Sequence, residues 1–177
     1  MNKVFGKISD FSYFRDEGSR MVVCYGRENV DGTDATWYEV YLPKTQHNSI
    51  SFEIVKKAII ADINLRTDKK ILSGFVWEGI NVWLSTENQF NFKAAYDLAI
   101  QTQGQSLPVT FKVGEDSEGL PVYHTFTSME DFTNFYTQAI AFVNQCLVEG
   151  WQEKDSIDFD VYQELFPEQV NQEGPVL

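Results

Sequence analysis

The chain has 177 residues, 43% of them apolar and 15% aromatic, which suits one large or two small packed domains and excludes a disordered chain. Its net charge of -12 is unevenly placed: residues 1–112 carry 13 basic and 13 acidic side chains, whereas residues 113–177 carry 13 acidic ones and a single cation, Lys154. Such a surface favours solubility and repels phosphate backbones and anionic lipid, so neither nucleic acid nor membrane is an expected partner.

Residues 1–66 read as an antiparallel β-meander followed by a helix. Val4–Ile8 and the compact run Met21–Tyr25 are strand-like. Thr36–Leu42 alternates, with Trp37, Glu39 and Tyr41 on one face and Tyr38, Val40 and Leu42 on the other. Between the last two strands, Asp31-Gly32 favours a turn with positive φ. Ser49 or Ser51 is placed to cap the helix, and Ile54, Ala58, Ala61 and Leu65 mark an apolar face, with Lys56, Lys57 and Asp62 opposite. Arg66–Lys70 reads as a polar connector to a second domain at 67–160.

In that second domain Leu72–Leu84 reads as a hairpin around a Glu78-Gly79 turn. Thr86 with Gln89 forms a capping box for a helix whose stripe is Phe92, Ala95, Tyr96, Ala99 and Ile100, and Gly104 ends it. Leu107–Val113 and Pro121–Phe126 form a further strand pair. A second capping box, Thr127 with Glu130, opens the strongest helix; Gly150 is expected to stop it, with Trp151 folded back over its end. Residues 161–177 read as an acidic C-terminal tail, frayed over 168–177. The fold class is therefore α+β.

Chemistry-bearing residues are sparse. His47, His124, Cys24 and Cys146 lack the close spacings of a zinc site, and the two cysteines read as buried free thiols. No nucleophile elbow, P-loop or dinucleotide fingerprint occurs. The carboxylates Glu115, Asp116 and Glu118, and Glu153, Asp155, Asp158 and Asp160, cluster without the spacing of a calcium loop. No catalytic, cofactor-binding or metal-binding residue is assigned, and an enzyme is not expected. Trp37, Trp77 and Trp83 lie on strands and form a candidate binding surface, set against the simpler reading that they fill the core. The N-terminus has lysines but no apolar region behind them, so no signal peptide is read, and no apolar run approaches the ~20 residues of a membrane helix. The expected setting is the cytoplasm or a particle assembled there.

Residues 66–160 carry an ordered set of short motifs: Ile71-Leu72-Ser73-Gly74-Phe75, Trp77 with Gly79, Asn88-Gln89-Phe90-Asn91-Phe92, Leu107-Pro108-Val109-Thr110-Phe111, Phe135-Tyr136 with Ala139, and Gly150-Trp151 before Lys154-Asp155-Ser156-Ile157. This order resembles a family of domains of unknown function in phage and prophage proteins, encoded near tail-fibre and tail-assembly genes. The resemblance implies a mixed α and β fold and carries no catalytic residues. It implies a structural or tail-assembly protein that contacts other phage or prophage proteins, with room for a homo-oligomer. Two alternatives stand beside it: a module binding host-surface glycan through its tryptophans, and an acidic inhibitor that mimics nucleic acid with the carboxylates of residues 149–173.

Overall fold

A computed structural model describes residues 2–44, 50–116 and 118–166. The fold is α+β, with two four-stranded antiparallel sheets. The chain divides into two units, Met1–Asn64 with Gln152–Leu177, and Leu65–Trp151. The expected break at residue 66 therefore falls two residues earlier. The C-terminal segment joins the first unit.

In the first unit, β1 (Asn2–Lys7), β2 (Phe14–Asp16), β3 (Arg20–Asn29) and β4 (Asp34–Pro43) lie in the order β1-β4-β3-β2. The three-stranded meander is thus a four-stranded sheet, with β1 on the far side of β4; β2 is only three residues long and left no period to read. Both faces of this sheet are covered, which explains why Val22–Tyr25 is an unbroken buried run. Val23, Tyr25 and Leu42 pack with Phe52, Val55, Ile59 and Ile63 of α1 (Phe52–Ser73). Val22, Cys24, Ala35 and Trp37 pack on the other side with Val4, Ile8 and Phe11. The alternation read for β4 holds, since Tyr38, Val40 and Leu42 oppose Tyr25, Val23 and Met21. At the β3–β4 turn Gly32 does not have positive φ. Instead the Asp31 carboxylate accepts from the backbone N–H groups of Thr33 and Asp34 at 2.7 and 2.8 Å, and these bonds hold its pKa below the usual range.

The buried stripe of α1 is Phe52, Val55, Ile59 and Ile63, one position off the face expected; Ile54 and Leu65 are exposed. Asp62 does not face away, for it accepts from the Tyr25 hydroxyl at 2.6 Å. The helix also continues through Arg66–Lys70, where a connector was expected, to the buried Ile71. Beyond Asp155, where irregular chain was expected, α4 (Asp160–Leu165) buries Tyr162, and Phe166 follows it into the same core. The remainder of the expected tail, 167–177, lies outside the described residues.

Glu39 is the one buried charged side chain among the described residues. Burial pushes its pKa up, but bonds from Arg15 (2.8 Å), Trp37 Nε1 (3.2 Å) and the Tyr41 hydroxyl (3.0 Å) outweigh that and leave it below the usual carboxylate range. A depressed folded pKa stabilises the fold above the unfolded value of about 4.3, and the contribution is lost as pH falls through the folded value. Glu39→Gln is therefore expected to cost about 2 kcal/mol at pH 7, with the gap to the unaltered chain closing below about pH 4. Urea unfolding at both pH values measures it; a gap independent of pH would contradict an ionised Glu39.

In the second unit β5 (Phe75–Trp77), β6 (Ile80–Val82), β7 (Val109–Glu115) and β8 (Pro121–Phe126) form a sheet in that order. The Glu78-Gly79 turn has positive φ at both residues, 49° and 80°, as a tight hairpin requires. One sheet face meets α2 (Thr86–Gln101) and α3 (Met129–Asp155) in a core centred on Phe126, whose ring lies 4.6 Å from Phe132 and 5.0 Å from Phe135. Both caps sit one residue from those expected. Ser85, not Thr86, accepts from Asn88 N–H, and Ser128, not Thr127, accepts from Asp131 N–H. Gly104, with φ of 84°, closes α2 by donating to Ala99. Ile100 is exposed, so the α2 stripe ends at Ala99. Gly150 does not stop α3. It is buried inside the helix, where an added Cβ would lie 2.5 Å from Thr67 Oγ1, so glycine here permits a close approach to α1. Trp151 consequently stays helical and is exposed.

Candidate functional site

The three tryptophans do not share a surface. Trp37 is 3% exposed and donates to the buried Glu39. Trp77 is 2% exposed; its ring lies 4.7 Å from His124 and 5.1 Å from Phe135, and its N–H points at Asn134. Both rings supply buried area and cannot stack on a ligand, because inward strand positions place them in the cores. Trp83 alone of the three is exposed, at 37%.

Trp83 extends β6 by one ladder bond, donating its N–H to Val113 O at 3.0 Å. Since Val82 and Leu84 point inward, Trp83 points out, on the same side as Asn81. On the neighbouring strand Lys112 also points out, and its Nζ lies 5.0 Å over the Trp83 ring. Lys112 pairs directly with Tyr123 of β8, which is 64% exposed. One step along, Thr110 and Thr125 oppose each other with hydroxyls 2.8 Å apart. Val76, on the outward side of β5, extends the apolar part of the face. Thus Trp83, Lys112 and Tyr123 form a row across three strands, on the sheet face opposite the core.

This row combines two amphipathic rings with a cation whose orientation is set by the ring beneath it and by a 3.0 Å bond to Glu115. Aromatic side chains bring large contact area at low entropic cost, and such groups dominate the binding energy of protein interfaces. Tyr123 and Lys112 were not singled out in the sequence. The alternation of Val109–Val113 and Pro121–Phe126 carried the signal, since it puts Lys112 and Tyr123 on the polar side.

The remaining candidates are engaged locally. His124 Nε2 lies 3.1 Å from Asp131 Oδ2, tying β8 to the first turn of α3. Cys24 and Cys146 are free and buried; burial pushes the Cys24 thiol up to about 11 and raises Cys146 as well. His47 lies outside the described residues. Asp116 turns back to accept from the N–H groups of Glu118 and Leu120, and Asp158 from that of Asp160. Glu149, the first carboxylate of the acidic 149–173 stretch, pairs with Lys70 and accepts from Gln145; Glu168 and Glu173 lie outside the described residues. Among the described residues no group of three His, Cys, Asp or Glu side chains is placed to hold a metal ion. No helix among them is long and apolar enough to cross a membrane.

A family model described as a domain of unknown function (DUF4376) matches residues 54–170, more than half of the chain. No curated protein and no solved structure matches the chain.

Proposed function

Since the chain belongs to this family of domains of unknown function, we propose that it is a non-enzymatic structural or tail-assembly protein of a phage or prophage, working by docking onto other proteins of the particle. The observation that carries the docking is the open face of the second sheet, where Trp83, Lys112 and Tyr123 stand in a row and Tyr123 is 64% exposed. The phage setting is supported by the motif order across residues 66–160. The partner this face suits is a protein surface that offers an apolar patch to the two rings and hydrogen-bond acceptors to Lys112. The test is mass spectrometry of purified particles and tail-assembly intermediates from a producing strain. The chain is expected in one or both, and complete absence from both would overturn the proposal.

A further inference from the structure

A strand at the end of a sheet offers its outer backbone N–H and C=O groups to another chain, and folded proteins blunt such edges with charge, proline or shortness. The two sheets have four end strands, β1, β2, β5 and β8. Three of them are blunted. β1 carries the exposed Lys3 and Lys7, β2 is three residues long and includes Arg15 and Asp16, and β5 has three residues. β8 has six, Pro121-Val122-Tyr123-His124-Thr125-Phe126, with no Lys, Arg, Asp or Glu among them. Its proline blunts only the first position, and the rest are β-branched or aromatic, the residue types that suit a strand.

β8 pairs with β7 along one edge. Among the described residues no hydrogen bond reaches the main chain of residues 122–126 from outside that ladder. The core is also unfinished here. Val122 packs against the buried cluster and the His124 ring lies 4.5 Å from Phe126, yet both are only half-buried, the His124 side chain being 25% exposed. An extended chain laid along β8 would bond the outer edge and cover Val122 and His124 with every second side chain. The two ends of the strand are acidic. Glu118, in the loop before β8, and Glu130, in the first turn of α3 after it, are exposed, and neither is paired with a cation among the described residues. A second copy pairing antiparallel through β8 would bring each Glu118 towards the other's Glu130. Charge therefore disfavours that copy and favours a partner with a cation at either end.

We propose that the outer edge of β8 is a strand-addition site for an extended segment of a partner protein, uncharged and β-branched over about five residues, with lysine or arginine at both ends. The backbone groups of this edge lie in the plane of the sheet, so a strand can add here whether or not the outward row of Trp83, Lys112 and Tyr123 docks. The probe is the peptide acetyl-Lys-Val-Thr-Val-Thr-Val-Lys-amide, titrated into the isotope-labelled full chain and followed by NMR. Binding is expected to shift the amides of residues 122–126 and to slow their exchange with solvent. N-methylation of the central peptide amides, which removes their donors, is expected to weaken binding about tenfold, and glutamates in place of the two lysines about fivefold. Glu118→Gln combined with Glu130→Gln is expected to weaken the lysine-ended peptide about fivefold as well. Glu53→Gln combined with Glu87→Gln, on α1 and α2, removes the same charge and is expected to leave the affinity within about twofold. The peptide comparisons use the unaltered chain, so they decide alone if the Glu118, Glu130 variant unfolds. Absence of any response in residues 122–126, equal binding of the N-methylated or the glutamate-ended peptide, equal losses in the two double variants, or dimerisation of the chain through β8 would overturn the proposal.

Discussion

Tyr162→Ala is expected to destabilise the first unit by about 4 kcal/mol, whereas Tyr162→Phe costs about 1–2 kcal/mol. Tyr162 is fully enclosed between the sheet and α1, and its hydroxyl donates to Cys24 O at 2.6 Å. That carbonyl needs a donor for a geometric reason. Cys24 N–H already bonds Tyr13 O on the side of β2, and the registered pairing of β2 with β3 ends at Phe14–Val23. Tyr162 thus supplies the hydrogen bond that a longer β2 would have given, across 138 residues of chain. Burial raises the phenol pKa above its ordinary value, with the neighbouring Tyr13, Cys24 and Asp158 adding to it. The stabilisation is therefore complete below about pH 10 and declines above it, where the unfolded chain loses a proton that the folded one keeps. Chemical unfolding of both variants, with the exposed Glu164→Gln as control, measures this. A loss in Tyr162→Ala no larger than in Glu164→Gln would show that α4 is not part of the core.

Gly114→Ala is expected to cost about 3 kcal/mol and to loosen the second sheet at its middle. Gly114 pairs with Val82, the one registered pair joining β6 to β7. A Cβ there would sit 2.0 Å from Asn81 O and 3.1 Å from Asn81 C. Those are backbone atoms, so no rotamer change can relieve the clash and the two strands must part. The N–H of Trp83, bonded to Val113 O beside this pair, should then exchange much faster with solvent. By contrast Gly119, with φ of 79° and no atom near its Cβ, should cost only about 1 kcal/mol as alanine. Equal stability losses at the two glycines would contradict the crowding argument.

The legible parts of this fold were those where period and punctuation agree. The alternation in β4, the pairing of Leu107–Val113 with Pro121–Phe126 and the Glu78-Gly79 turn were all readable, because each is decided by residues near one another in the chain. What escaped depended on distant partners. Aliphatic residues lie on both sides of the first half of α1, so Ile54 and Leu65 drew the stripe to the wrong face, while the true one was fixed by packing on Val23 and Leu42. Arg66–Lys70 looked like a linker because its polar residues carry no stripe; the helix continues to bury Ile71 in the second core. Gly150 looked like a stop signal, yet its reason lies in Thr67. The same held for the site. A tryptophan on a strand is equally suited to either face, and only the cores showed that Trp37 and Trp77 point in while Trp83 points out.

The docking account is tested most directly by how much chain enters the assembling particle. The double variant Trp83→Ala, Tyr123→Ala removes outward-facing rings, so its melting temperature should match that of the unaltered chain. Its recovery in purified particles or tail intermediates, quantified against the unaltered chain expressed at the same level, should fall about tenfold or more, as expected for loss of two interface anchors. Undiminished recovery of a normally folded double variant would show that the exposed face of the second sheet is not where this protein docks.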